Sequence, residues 1–520
     1  MSFHIWTLEQ FNPNDILCVA AAAAMIYGIW RVAYNLFFSP LAKIPGPKLA
    51  AMTRWVETYY ECFNEQGGQF RWAYSKWHDV YGPIIRVAPN EVHVRDSEFY
   101  DKLYQHKPQA KADRLNNRFD CKTSIFDTSQ HLLHARRRAV LEVFFSRKRI
   151  SDRSVEMQEH LDRLCQTVRD EYLGTDAILY TDDMWSCWTS DIISGYSFAT
   201  NDNMIALPRF RSPLREAMNE LLEPMHWITQ CPILKNILFS LPQWFVLAVY
   251  PAARPAVAMK NGILSRIQTI RANVRRLPDG DHAGTIFGTM LTSDLPSSET
   301  SDERLKDEGI GLLGVGTETT MRTLSIGLYF LWEQPSVKAK LMAELKGAIP
   351  DPNIIPHWDV LAKLPYLAGC VNEAMRLSYG ASQRLIRVFD QPITYGQFVI
   401  DAGTEIGMDI YDVCHDETIF HQSHEFRPER WLEDVPQDGQ ESRSQLSRHL
   451  VVFGRGPRAC IGRHLAHAEA CLGLATFVRR FDYEMFETPR AHFAFDRDRL
   501  APRPRKGTPG IRMEVTGVHT

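Results

Sequence analysis

The chain has 520 residues, 45% of them apolar, and a formal net charge of −3. This is a globular composition with material for a large core, and its near-neutral charge gives no reason to expect nucleic acid as a partner. The 10 cysteines are scattered without a C-x-x-C pair, which argues against a disulfide framework and for a reducing compartment.

Ile16 to Trp30 carries no charge, and apolar character resumes after Arg31 through Phe38. As a helix this run spans about 34 Å, enough for a bilayer. Arg31 can snorkel, and Tyr27, Trp30 and Tyr34 can sit at the interface. Glu9 and Asp15 precede the run; Arg31, Lys43, Lys48 and Arg54 end or follow it. The positive-inside rule then puts the tail outside the cytoplasm and the bulk of the chain in it. A cleaved signal peptide would need a basic leading region, which is missing. A buried core helix is the other alternative. Ile44-Pro-Gly-Pro-Lys48 follows and cannot continue a helix. The expected layout is a tail over 1–15, an anchor over 16–38, a proline-rich hinge over 39–50 and one domain over 51–520.

Ile84 to Val94 reads as strand, Pro-Asn turn and strand, with a helix starting near Ser97. His131-Leu-Leu-His134-Ala-Arg-Arg-Arg138 opens a helix that ends near Phe144. Such a run of charge is usually a solvated face, and Arg136 and Arg137 are expected to point outward. Arg138 is expected to be buried against a carboxylate partner. Residues 200–260 are rich in Leu, Trp, Phe and Pro, and no individual contact can be named there.

Gly309-Ile-Gly-Leu-Leu-Gly-Val-Gly316-Thr-Glu318-Thr319-Thr320 begins a long helical pattern through Trp332. Each glycine weakens a helix by about 1 kcal/mol against Ala, a cost kept where something must approach the backbone. Glu318 beside Thr319 is an acid–alcohol pair able to deliver protons. The plain alternative is a surface Glu next to a Thr bonded back to a carbonyl. Glu373-Ala-Met-Arg376 lies on a helix beginning near Tyr366, with acid and base on one face. Arg384 and Arg387 follow, then two strands from Ile393 to Met408, then Phe426-Arg-Pro-Glu-Arg430-Trp431.

The last motif is Phe453-Gly-Arg-Gly-Pro-Arg-Ala-Cys460-Ile-Gly462, directly before an apolar helical pattern. Its glycines allow tight turns. Cys460 is placed at a helix start, where free N–H groups favour a thiolate. A lone Cys is more often a small buried hydrophobe. Gly454-x-Gly456-x-x-Ala459 mimics a dinucleotide fingerprint, but about 60 residues remain, too few for a doubly wound domain. Cys460, His464, His467 and Cys471 on one straight helix would span about 16 Å and could not share a zinc ion.

The loop resembles the haem-binding loop of the cytochrome P450 family, Phe-x-x-Gly-x-Arg-x-Cys-x-Gly, in five specified residues. The resemblance covers the chain from about Pro45 onward and is nearest to fungal microsomal members of secondary metabolism. It implies a mainly α fold with small β-sheets behind one N-terminal transmembrane helix. It implies haem b with Cys460 as its iron ligand, Phe453 and Arg458 in the haem loop, and Arg138, Arg387 and His134 as further haem contacts. His134 stands where many members have Trp. Gly316 would leave room for dioxygen, and Glu318 and Thr319 would supply protons; Val315 departs from the usual Ala. Glu373, Arg376 and Arg430 would form a buried ion cluster serving folding and haem retention.

The activity implied is monooxygenation of a hydrophobic small molecule at the endoplasmic reticulum membrane, with the body facing the cytoplasm. Electrons would come from an NADPH–cytochrome P450 reductase docked near Arg455 and Arg463, with cytochrome b5 a further donor. The alternatives are a haem-thiolate isomerase or dehydratase that uses no dioxygen, and a non-catalytic haem carrier.

Overall fold

The computed structural model describes residues 13–105, 108–200, 202–276, 284–432 and 443–519. Residues 1–12 of the expected tail lie outside these. Asn14–Phe38 is long and apolar enough to cross a membrane, and its most apolar 18-residue stretch is unburied, Asn35 near the end being buried against the body; this speaks against the buried-core-helix alternative. The proline-rich stretch after it is strapped to the body. Arg86 gives its backbone N–H to Pro45 O at 2.7 Å and its guanidinium to Asn35 O at 2.6 Å. Gly46 is required there, because a Cβ would stand 2.6 Å from Arg86 O.

A five-stranded sheet lies on the N-terminal side, in the order Ile84–Ala88, Glu91–Val94, Glu405–Gly407, Arg387–Phe389, Gln109–Ala110. The first two strands are the expected hairpin, pairing Ile84 with Val94. The sheet joins segments distant in sequence, and its far edge sets Arg387 beside Gln109. Arg384, just before this strand, is buried against Glu57 and Glu91 at 2.6 Å each. A second hairpin, Ile393–Tyr395 with Phe398–Ile400, turns at Gly396 with φ +55°.

The core is helical and is built around Asp302–Glu333. Ser301 caps this central helix by accepting Arg304 N–H at 3.3 Å, and Asp302 and Glu303 suit the positive end of its dipole. The helix stops at Gln334, before Pro335. It packs against Thr181–Phe198, Pro365–Ser378, Arg254–Arg276 and Arg463–Arg480. Its glycines answer to packed helices, Pro213–Leu222 among them. A Cβ at Gly309 would meet Ile263 at 2.7 Å, and one at Gly314 would meet Met218 at 2.6 Å. What approaches the backbone at these two positions is other helices, and burial of their apolar faces outweighs the lost propensity.

Two short helices, Pro232–Ser240 and Gln243–Val249, meet at 115° and leave Ile233, Ile237, Trp244 and Val249 exposed. Phe63 packs edge-on against Trp227 just before them, so this apolar edge adjoins the segment behind the N-terminal helix.

Candidate functional site: a cysteine-floored cavity with a cationic rim

Three elements meet at a cavity of about 330 Å³: the central helix, the loop ending at Cys460, and the sheet edge. The loop is locked by its backbone. Cys460 N–H bonds Phe453 O at 2.7 Å, and Gly454 N–H bonds Val451 O at 2.7 Å. Gly456 has φ +69°, and a Cβ there would come within 2.0 Å of Tyr104 O. Only glycine fits. The following helix begins at Arg463, two residues later than the expected start at Ile461, so Cys460 stands in the loop just ahead of it. Burial raises the Cys460 thiol pKa, while the Gly462 N–H, Arg138 and Arg463 act to lower it. The sulfur's residue is half-buried and lines the cavity with Phe453.

Cations gather at the rim. Arg138 donates to Ala459 O at 2.6 Å, Arg458 to Thr128 O at 2.6 Å, and Arg387 to Gln109 Oε1 at 2.9 Å. Lys111 lines the same wall and lies over the Phe126 ring at 4.3 Å. Among the described residues, Lys111, Arg387 and Arg458 have no carboxylate within ion-pair distance. Burial, with neighbouring cations adding to it, pushes Lys111 down to about 7. Burial and Arg387 push Arg458 down to about 9. His134 is buried; desolvation first, then Arg458, Lys111 and Arg138, hold it near 2, so it is neutral. Arg138 has Glu142 at 3.4 Å and Lys111 feels the buried Asp127, but cations outnumber acids at this rim, and such an excess of buried positive charge favours anions. Two propionates above a cysteine sulfur have the chemistry this donor set fits, so the residues suit haem.

Across the cavity, Val315 is the open side chain of the central helix, 39% exposed, with Gly316, Thr319 and Thr320 beside it. Thr319 gives its hydroxyl to Val315 O at 3.0 Å, the plain alternative read for it. Glu318 does not line this cavity. Its carboxylate binds Arg503 at 2.7 Å, in a separate polar cavity of about 250 Å³ on the other side of the helix. The helical step from 318 to 319 divides the expected pair between two cavities. Gly316 borders the larger cavity, but the space of its missing side chain is taken by Ile193 at 3.3 Å.

Glu373, Arg376 and Arg430 meet as a buried cluster. Arg376 binds both Glu373 oxygens, at 2.9 and 2.8 Å, and Arg430 Nε lies 3.2 Å from Oε1. Trp431 and the Arg427 N–H also donate to Glu373. Burial opposes the Glu373 charge, and Arg376 with Arg430 overcomes it, leaving its pKa lowered. Arg376 further holds the carbonyls of Cys414 and Glu425.

Arg137 does not point outward; it grips Glu299 at 3.0 Å and Thr128 Oγ1 at 2.8 Å. Arg136 is exposed. Arg455 is turned toward Asp101 at 3.3 Å, leaving Arg463 as the open cation of that pair. Sequence reasoning missed Lys111, Arg503 and Glu469. Lys111 and Arg503 belong to no motif. Glu469 had a signal: it is a lone acid in the apolar run Ala468 to Leu474.

The family model described as cytochrome P450 matches residues 55–506. A monooxygenase of that name, orf4 of Eupenicillium brefeldianum, is 40% identical over 95% of this chain and 97% of its own length. The monooxygenase sdnE of Sordaria araneosa is 35% identical over 97% and 99%. A tryptophan 6-hydroxylase, fscE of Fusarium equiseti, is 33% identical over 92% and 93%.

Proposed function

Since this chain belongs to the cytochrome P450 family, we propose that it inserts one oxygen atom of dioxygen into a hydrophobic small molecule of fungal secondary metabolism, a terpenoid, polyketide or alkaloid. The observation that carries this reading is Cys460 on the floor of a cavity whose rim holds unpaired cations and whose opposite wall is Val315 and Thr319. Haem b, when bound, supplies the reductive activation of dioxygen and the oxygen insertion.

The chain's own residues do the rest. Cys460 would hold the haem iron through its sulfur. Arg138, Arg387, Arg458 and Lys111 offer N–H donors to two carboxylates, and neutral His134 can add one more. Leu115, Phe126, Ile193, Leu312 and Val315 make the wall apolar, which excludes water and selects an apolar substrate. Thr319 presents a hydroxyl to the cavity and can orient a proton donor there; Glu318 acts from the neighbouring cavity, where it pairs with Arg503 at 2.7 Å. Electrons come from a separate NADPH-dependent reductase, approaching the side of exposed Arg463. Asn14–Phe38 anchors the enzyme in the endoplasmic reticulum membrane with the body on the cytoplasmic side, and the exposed edge of Pro232–Val249 touches the same membrane.

The test uses the membrane form with a fungal reductase. Reduced protein with carbon monoxide should show the thiolate-type Soret band, absent in Cys460→Ala. A panel of terpene, polyketide, indole and fatty acid is then screened for a spin-state shift and NADPH-dependent oxygenated product. A wild-type protein without the thiolate band would overturn the reading, as would turnover that needs no dioxygen.

A further inference from the structure

The smaller cavity, on the far side of the central helix, carries more positive charge than its acids cancel. Seven Lys and Arg side chains line it against three carboxylates, Asp182, Glu223 and Glu318. Two further acids reach in from just outside the lining. Asp183 joins Asp182, at 3.2 Å, in holding Arg215, and Glu65 lies 3.8 Å from Arg505. Glu223 is shared by three cations: Arg497 at 3.1 Å, Arg499 at 3.7 Å and Lys506. Glu318 takes Arg503. Five acids against seven cations leave an excess of two positive charges.

Arg322 shows where the excess sits. It stands one turn after Glu318 on the central helix and lines the same cavity. Among the described residues no carboxylate lies within ion-pair distance of it. Its Nη2 donates to Phe493 O at 2.7 Å, and its Nε has no hydrogen-bond partner. Burial lowers its pKa to about 10; Asp182, acting from farther off, offsets only part of that, and Arg503 adds to the lowering. Arg322 is still protonated at neutral pH. Arg499, 5% exposed, also has an orphaned Nε, as Arg503 has an orphaned Nη2. Water filling the cavity can accept from such donors, but it cancels no charge. A buried guanidinium without an anion is costly, and a chain keeps one where an anion visits.

We propose that this cavity binds a compact multivalent oxyanion, phosphate or diphosphate, held by Arg322, Arg503 and Lys506. Guanidinium forks meet phosphate oxygens in pairs, and two uncancelled charges match a dianion, where chloride would leave one over. The cavity's 250 Å³ is room for either anion with water around it. The mouth is open: the side chains of Lys506 and Arg505 are 52% and 67% exposed, so the anion enters from solvent. Arg503 is claimed from two sides, by Glu318 and by the anion, which therefore compete for it. The inference stands apart from the monooxygenase reading, since none of Arg322, Arg503 and Lys506 borders the cysteine-floored cavity.

The experiment uses the haem-loaded full chain in detergent, with ionic strength held constant by sodium chloride. Inorganic phosphate and diphosphate are titrated by calorimetry, and the unfolding midpoint is followed in parallel. Both anions should bind saturably and raise the midpoint, where chloride does not. Arg322→Met removes a charge-assisted donor and should weaken phosphate about tenfold. Glu318→Gln releases Arg503 and should tighten it several-fold. Lys506→Ala, at the exposed mouth, should weaken it too, and it keeps the test open if Arg322→Met fails to load haem. Phosphate acting no differently from chloride overturns the proposal. So does an affinity that Arg322→Met and Lys506→Ala leave unchanged, or that Glu318→Gln fails to raise. Loss of the carbon monoxide band in wild type would instead sink the haem-thiolate reading, so the two failures are told apart.

Discussion

Glu318 and Thr319 are neighbours in the chain and face different cavities: Glu318 holds Arg503 at 2.7 Å, while Thr319 opens on the cysteine-floored cavity and bonds Val315 O at 3.0 Å. The ion pair is nearly closed to solvent, with side chains 7% and 15% exposed. Removing its cation leaves a buried carboxylate unpaired. Arg503→Ala should lower unfolding free energy by about 3–5 kcal/mol, and Arg503→Lys by much less. Denaturant unfolding of the two variants checks this; equal stability of Arg503→Ala and wild type would show that the pair adds nothing.

Val315 puts two methyls into the open cavity, one turn before Thr319. Because it is more than a third exposed, Val315→Ala should cost only ~1 kcal/mol or less. Its effect should fall on selectivity. The variant is expected to accept bulkier substrates and to change the ratio of oxidised positions, with coupling retained. Product analysis on a common substrate reads this directly, and an unchanged product ratio would place the reacting carbon away from Val315.

The motif around Cys460 was legible because its constraints are local. Gly456 is fixed by a clash with Tyr104 O, and Cys460 by backbone bonds within the same loop. The Glu373–Arg376 pair was legible for the same reason, one helical turn apart. What approaches Gly309 and Gly314 of the central helix was hidden, because Ile263 and Met218 reach them from helices whose packing no single-sequence pattern states. The facing of Glu318 was hidden too, since its partner Arg503 comes from the strand Ala501–Arg503, far away in sequence. Lys111 enters the rim only because the sheet edge pairs Gln109–Ala110 with Arg387–Phe389, a long-range register that local sequence does not encode.

Glu373 is the acid that two buried guanidiniums share. Glu373→Gln keeps the shape and removes the charge, leaving Arg376 and Arg430 uncompensated. The expected loss is about 3–5 kcal/mol, with haem release during purification. Arg376 also organises the carbonyls of Cys414 and Glu425, so Arg376→Lys should recover only part, lacking the planar fork. Haem-to-protein ratio and unfolding midpoint together check this; a fully loaded, stable Glu373→Gln protein would contradict the cluster's role.

The unpaired rim gives a pH signature. Burial sets Lys111 near 7 in the folded haem-free chain, against about 10.4 for an unfolded lysine. Below pH 7 both states hold the proton, and folding carries the full penalty of burying the charge. Between about pH 7 and 10 the unfolded chain binds more protons than the folded one, so folding stability rises with pH. Two propionates would supply the missing anions, return Lys111 to its charged form and flatten the slope. The haem-free protein should therefore gain stability from pH 7 to 9.5 while the haem-loaded protein does not, and Lys111→Met should flatten the haem-free curve. Unfolding midpoints across that range test it; parallel curves for the two forms would mean that Lys111 does not meet a propionate.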